Sequence, residues 1–440
     1  MKKSILFLLA AAAAVTGLRA QTLTWTQRTT GVADGLQYTA AAYGAGKYAV
    51  TAYGSGTTAG TFQSQVATSA DGITWRVVAL PTGPVARGIT YGGGLWVVPA
   101  ERNGSDSANT QNILTSPDGG TWTPRTTGAG TLWKVAHTTV GSANLYVAGG
   151  LTTNSPAGSN IAYSSDAITW SRTNIGGADA RVNYLAAGNG VFIAATQTGG
   201  QVYRSINGQT WSTVTLPGTI SINFIVGLVY AGGEFIAAIQ VDGGAARLYT
   251  SPDGSAWTAR GSASPATPAS ITISGLGATG AASAGSRVIA AGNSTNFNTF
   301  EGAPYIFHSI GAHTTWTTQQ LGSGDFANNN FAFFANYLWL VGNNKTQLFT
   351  AADTAGGTSG GSTTPAPTIS TQPVAAQTIT SGGSATFSVT AGGTGLAYQW
   401  RFNGTAITGA TSASYTIAAV TSANAGSYTV TVTNAGGSLT

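Results

Sequence analysis

Short apolar runs closed by glycine recur along most of this chain. Tyr38 to Tyr43 leads into Gly44 to Gly46 and then Tyr48 to Tyr53, and Tyr184 to Ala187 leads into Gly188 to Gly190 and then Val191 to Ala195. Gly92 to Gly94 before Leu95 to Val98, and Gly232 and Gly233 before Phe235 to Ile239, repeat the pattern. Glycine supplies the positive φ of a tight hairpin, so each run predicts two antiparallel strands, A and B. Between these hairpins a polar heptapeptide ending in tryptophan recurs: Ser69 to Trp75, Ser116 to Trp122, Ser164 to Trp170, Ser205 to Trp211 and Ser251 to Trp257, with a degraded copy over Ser309 to Trp316. It predicts a turn between a third strand, C, and a fourth, D.

Four short strands repeated every roughly 40 to 60 residues are the units of a β-propeller. Trp25, Trp75, Trp122, Trp170, Trp211, Trp257 and Trp316 mark seven D strands. Trp25 has no turn motif before it, whereas Phe331 to Phe334, Tyr337 to Val341 and Thr346 to Thr350 have no D strand after them. The expectation is an all-β chain whose residues 21–353 form seven blades, with the strand around Thr22 to Arg28 completing the last one and leaving no open edge.

The heptapeptide resembles the Asp-box (BNR repeat) of sialidase-like β-propellers, whose usual form has one more residue between Asp and Gly. A carboxylate there can accept backbone N–H groups as in an Asx-turn. Asp71, Asp118, Asp166, Asn207 and Asp253 are therefore expected to be structural, and the replacements at Asn207 and Ala167 suit a turn better than a metal ligand or catalyst. A sialidase-like activity would imply an arginine triad, a Tyr/Glu pair, an Asp acid and an Arg-Ile-Pro motif, and no such tripeptide occurs. Arg28, Arg125 and Arg260 each follow a blade Trp by three residues, as repeat positions do. The glutamates are Glu101, Glu234 and Glu301, a thin supply for hydrolysis by two facing carboxylates roughly 5 to 9.5 Å apart.

Strand order puts the A–B and C–D turns on one face of the ring and the variable B–C and D–A loops on the other, where binding residues are expected. Two B–C loops stand out, Glu101 to Gln111 and Asn293 to Pro304. They carry Glu101, Arg102, Asp106, Phe297, Phe300 and Glu301, a mixture suited to stacking on sugars or to coordinating a cation, and these are the candidate ligand-binding residues. His137 and His313 stand apart from each other, and the chain has no cysteine, so neither a metal nor a cofactor is expected.

Met1 to Ala20 have the layout of a secretory signal peptide: two lysines, then an apolar core over Ile5 to Val15 that is too short for the ~20 residues of a membrane helix. The whole chain carries 18 basic and 13 acidic residues. Loss of Lys2, Lys3 and Arg19 would leave it nearly neutral, which makes nucleic acid a poor partner. Charged residues are only 7% of the chain, so the surface depends on neutral hydrogen bonding.

Residues 354–366, rich in Gly, Ser, Thr and Pro, read as a linker. Residues 367–440 resemble a bacterial immunoglobulin-like domain: Val389 and Val430 in place of the two cysteines, Trp400 as core tryptophan, Tyr428 as the tyrosine-corner residue, and a final strand cut short. The expected function is that of an exported, monomeric, non-catalytic binding or adhesion protein at the bacterial surface, its propeller turned to a glycan or protein ligand. A sialidase-like hydrolase or polysaccharide lyase, and a structural matrix component, are the alternatives.

Overall fold

The computed structural model describes residues 23–55, 62–81, 84–102, 111–151, 159–177, 180–196, 201–217, 222–241, 247–262, 271–278, 287–296, 301–310, 317–321, 329–336, 338–344, 346–353, 368–374, 376–392, 395–434 and 437–439. The chain divides into two compact units, Met1–Ser359 and Gly360–Thr440.

The described residues of the first unit form seven antiparallel sheets. Sheet 1 holds Gln37–Gly44, Lys47–Ser55, Phe62–Ser69 and Arg76–Ala79; sheet 2 holds Pro84–Ala86, Thr90–Gly92, Leu95–Arg102, Gln111–Ser116 and Thr123–Thr126. Sheet 3 holds Leu132–Val140, Ala143–Gly150, Ile161–Ser164 and Ser171–Thr173; sheet 4 holds Val182–Gly188, Val191–Thr196, Val202–Ser205 and Ser212–Val214. Sheet 5 holds Ile222–Ala231, Glu234–Val241, Arg247–Ser251 and Thr258–Ser262; sheet 6 holds Ile271–Ala278, Arg287–Asn296, Glu301–Ile310 and Thr317–Gln320. Sheet 7 joins Asn329–Ala335, Leu338–Asn343 and Leu348–Ala352 to Thr26–Arg28 from the other end of the unit.

That last strand pairs Thr26 with Thr350 and Arg28 with Leu348. It begins at Thr26, just after Trp25, and the D strands of sheets 1 to 5 likewise start one residue beyond the heptapeptide Trp. In sheet 2 the A strand is interrupted between Ala86 and Thr90, opposite Val98 and Pro99 of its B strand. Proline has no N–H to give a ladder, which accounts for a break at that point.

The apolar residues do not gather in one core. They form a separate cluster at each junction between consecutive sheets, from sheets 1 and 2 round to sheets 7 and 1. The A strands touch in the same cyclic order, so the sheets close a ring. The A–B hairpins turn at pairs such as Ala45–Gly46, Gly93–Gly94, Asn189–Gly190 and Gly232–Gly233, all at positive φ, the geometry that matches strand twist. On the other side, buried asparagines tie down the inter-sheet connections. Asn160 Nδ2 donates to the carbonyls of Ile175 and Ala180 while its Oδ1 accepts the Ile175 N–H, and Asn112 Nδ2 donates to those of Ala129 and Gly130.

In the second unit Ala397–Phe402 and Tyr428–Asn434 are central to a four-stranded sheet edged by Thr405–Ala406 and Gly437–Leu439. Ala385–Ser388 pairs with Ser414–Ile417, and Thr368–Thr371 with Thr390–Gly392. Trp400 is fully buried among Val389, Ala410, Val430 and Val432, and its Nε1 donates to Ser412 O at 2.9 Å. Tyr428 Oη donates to Asn424 O at 2.9 Å.

Sheet 7 also contains an acid in an unexpected place. Ser69, Ser116, Ser164, Ser205 and Ser251 lie opposite Tyr48, Trp96, Tyr146, Phe192 and Phe235, and the corresponding pair in sheet 7 is Ala351 opposite Trp339. Asp353, two residues on, therefore occupies the position of the heptapeptide acid. Its Oδ2 accepts Arg287 Nε at 2.7 Å and Trp339 Nε1 at 2.9 Å. Arg287 comes from sheet 6, and the pair is 1% and 0% exposed, so it fastens sheet 6 to the sheet that closes the ring. Removing one member of such a pair leaves a buried charge and costs about 3–5 kcal/mol. Arg287→Met alone is expected to lower the unfolding free energy by about that amount in denaturant titrations, and adding Asp353→Leu to recover at least half of the loss.

Candidate functional site

The five described heptapeptides close on themselves by a common set of Ser and Asp or Asn hydrogen bonds, to which the Trp indole adds a bond in four, Trp122 Nε1 having no partner. In the first, Ser69 Oγ donates to Asp71 Oδ1 at 2.9 Å and accepts the Gly72 N–H at 2.8 Å, while Asp71 Oδ1 also accepts the N–H groups of Ile73 and Thr74, both at 2.8 Å. Trp75 Nε1 then donates to Gly72 O at 3.3 Å. Asp118 and Asp166 are held in the same way, and Asn207 Oδ1 makes both backbone contacts with its amide oxygen. Asp253 Oδ1 accepts Ser255 N at 2.9 Å. The backbone donors of Thr74 and Ile73, with Ser69, hold the Asp71 carboxyl at about 2, below its ordinary 3.8, and Thr121, Gly120 and Ser116 do the same for Asp118. Ala167 takes the glycine position at φ 58. At Gly254 and Gly72 a Cβ would strike Ile193 and Leu338 of the preceding sheet, so these turns also pack one sheet on the next.

The three repeat arginines sit on three different sheets in one arrangement. Arg28, Arg125 and Arg260 each donate Nε to a C-strand threonine, Thr350, Thr115 and Thr250, at 2.6, 3.0 and 2.9 Å.

On the heptapeptide face the axis opens into a cavity of about 490 Å³, lined by A-strand residues that include His137, Leu185, Leu228, Tyr230 and Phe334. Cross-strand ring pairs stand at the same register in five sheets: Tyr43 with Tyr48, Tyr91 with Trp96, His137 with Tyr146, Tyr230 with Phe235 and Phe334 with Trp339. Tyr91, His137 and Tyr230 lie so close over Gly44, Gly92 and Gly188 of the preceding sheets that no Cβ would fit. Tyr146 Oη donates to Gly92 O across the same junction. Sequence reasoning missed this collar. Its signal, an aromatic residue just before several of the hairpin turns, was present but was absorbed into the strand pattern.

At the loop face the backbone of Glu101 lies opposite Val85 and that of Arg102 opposite Pro84, at the end of a sheet 2 strand. Glu301 opens a strand of sheet 6, opposite Asn296. Sheets 7 and 1 separate these two positions on the short way round the ring. Asp106, Phe297, Phe300 and His313 lie outside the described residues, as does Trp316.

The same end of the ring carries a cluster not singled out from the sequence. The A strands of sheets 1, 3, 4, 5 and 7 each slip register near their start, at Thr39, Trp133, Asn183, Asn223 and Asn330. Thr39 Oγ1 donates to Ala86 O and Asn330 Nδ2 to Tyr38 O, each crossing to the next sheet. In sheet 2, Arg87 occupies this level. Its guanidinium carbon is 5.1 Å from the Tyr53 ring centroid and 5.7 Å from that of Trp133, within cation–π range. Lys134 Nζ lies 3.4 Å from Arg87 O. Burial, then the charge of Arg87, lowers the Lys134 ammonium to about 8. Trp133 Nε1 and Asn183 Oδ1 are buried without a hydrogen-bond partner.

Solved structures fit this ring. The chain is similar to virginiamycin B lyase from Staphylococcus aureus, with a TM-score of 0.52 at 10% identity over 75% of this chain and 99% of that one. A streptogramin B lyase gives 0.52 at 11% identity over 75% and 97%, and the WD40 β-propeller domain of Doa1 gives 0.49 at 11% over 75% and 97%. The N-terminal unit is a β-propeller. At such identities the likeness carries the fold alone. No family model matches the chain, and no curated relative does.

Two measurements check the electrostatics of these blades. A carboxyl whose folded pKa is depressed contributes stability above its ordinary value and loses it as pH falls through the folded one. Asp71→Asn with Asp118→Asn, which copies the natural Asn207, keeps the turn contacts but loses that contribution, and is therefore expected to melt below wild type at neutral pH. Between pH 3.8 and about 2 its melting temperature should fall less steeply. An amine with a depressed pKa has the opposite sign, opposing folding while it is charged. Stability of the wild type is expected to rise from about pH 8 to 10.5. Lys134→Met should abolish that rise and melt higher at neutral pH.

Proposed function

We propose that this chain is an exported, non-catalytic binding protein: a seven-bladed propeller of the Asp-box type that offers its loop face to a glycan, joined to an immunoglobulin-like module that serves as a spacer. The observation that carries this reading is where the repeat spends its reactive side chains. The heptapeptide acids face their own turns, and the repeat arginines are bonded to their own sheets. The heptapeptide face thereby becomes scaffold, and register shifts and charged residues such as Arg87 and Lys134 lie at the opposite end, where propeller loops have freedom to vary.

The seven sheets in cyclic contact support the blade count, and the five closed heptapeptides support the Asp-box assignment. Trp400 buried between Val389 and Val430, with Tyr428 Oη bonded to Asn424 O, supports the immunoglobulin-like reading. A surface poor in charge and rich in hydroxyl and amide groups suits hydroxyl-rich ligands. The test is a broad glycan array probed with the full chain, followed by reducing-sugar assays on whatever is retained. A selective subset of glycans should bind and be recovered intact. A blank array, or release of reducing ends, would overturn the proposal.

A further inference from the structure

We propose that the axial cavity on the heptapeptide face binds an uncharged aromatic small molecule, one ring of which fills a gap in the collar at Ala278, between Tyr230 and Phe334. This site is separate from the glycan-binding reading, which concerns the opposite face.

The collar has one position in each sheet, the A-strand residue paired with the B-strand residue that faces the heptapeptide serine. Five of these positions carry the rings of Tyr43, Tyr91, His137, Tyr230 and Phe334. The same register puts Ala187 at the position of sheet 4, paired with Phe192, and Ala278 at that of sheet 6, paired with Val288. Two rings are therefore missing from the collar.

The rings that are present show where the missing ones would lie. Tyr91, His137 and Tyr230 each cover the residue just after the collar position of the preceding sheet, Gly44, Gly92 and Gly188. By the same step a ring at Ala187 would cover Thr138, and a ring at Ala278 would cover Ala231. The first place is taken, since Thr138 is buried and its Oγ1 accepts the Gly190 N–H at 3.0 Å. The second belongs to the cavity, whose wall includes Ala231, Gly232 and Ala278.

The cavity measures about 490 Å³, and small-molecule sites span about 300–1,000 Å³. Its wall selects a neutral ligand. Among the described residues the lining holds no Asp, Glu, Lys or Arg, and the heptapeptide acids of this face accept N–H groups of their own turns. His137 is half-buried, burial lowers its pKa from an ordinary 6.5, and its Nε2 is paired with Asn144 Oδ1 at 2.9 Å, so the imidazole is neutral at pH 7. A charged ligand would give up its hydration here without a counter-charge. A flat ring instead meets Tyr230 and Phe334 on the two neighbouring sheets, and ring–ring contacts add to what burial alone contributes. Thr90 and Asn336 bring polar groups to the same wall, enough to orient a ligand hydroxyl.

The experiment is calorimetric titration of the full chain at pH 7 with 2-naphthol, its saturated counterpart 2-decalol, 2-naphthalenesulfonate and mannose. The expected result is that 2-naphthol binds at least tenfold more tightly than the other three. Ala278→Phe supplies the missing ring from within the chain, and it should lose at least tenfold in naphthol affinity while the melting temperature holds or rises. Phe334→Leu keeps apolar bulk but removes a ring, and it should weaken naphthol binding several-fold. No binding of naphthol, equal affinity for naphthol and decalol, equal or tighter binding of the sulfonate or of mannose, or wild-type affinity in a folded Ala278→Phe would each overturn the proposal. Should Ala278→Phe melt too low to be titrated, unchanged naphthol affinity in Phe334→Leu overturns it instead. A blank glycan array leaves this site untouched.

Discussion

Everything in the first unit depends on the pairing of Thr26–Arg28 with Leu348–Ala352. Each four-stranded sheet is too small to bury its own apolar faces, and it becomes stable by lying between two neighbours, so the structure is a chain of dependencies that has to return to its start. Sheet 7 is where it returns, and without the N-terminal strand that sheet would present three strands and an open edge. The consequences reach the other end of the sheet. Trp25 stands where the other blades carry the heptapeptide Trp, and its Nε1 is buried without a partner. Asp353, at the acid's position, accepts Arg287 from the neighbouring blade. A repeat split between the two ends of a unit keeps its tryptophan and its acid but assigns them different work.

The remaining blades show how a propeller manages with little charge. Backbone groups at the five described heptapeptide turns are satisfied by one serine and one acid or amide, and at two inter-blade connections they are satisfied by the buried side chains of Asn112 and Asn160. These are short, neutral or locally neutralised contacts that depend little on salt. Close approach does the rest: the rings of Tyr91, His137 and Tyr230 lie against glycines of the preceding blades.

Most of this organisation was legible in the sequence because it repeats. The hairpin glycines, the heptapeptide and the unmatched strands at the two ends placed the strands and their closure, and the turn chemistry of Asp71 or Asn207 followed from the residue types. Three things were not legible. The role of Asp353 depends on register, since only its position two residues after Ala351 relates it to Asp71, and Ala351 does not look like the serine it replaces. The strand break at Arg87 and the register slip at Trp133 that bring Arg87, Trp133 and Lys134 together fall at the starts of A strands, where no repeat marks them. Glu101 and Glu301 looked alike as loop acids, but the distance between sheets 2 and 6 is a property of the ring and not of any local segment.

Closure also fixes when the molecule can be finished. Arg28 and Thr350 are 322 residues apart in sequence, and contacts of that separation are the slowest to form because a long loop must be ordered first. During synthesis Thr26–Arg28 emerges long before Leu348–Ala352, the partner it needs. In that interval the middle blades can stack while this strand waits, and closure is a single docking event that turns an open arc into a ring.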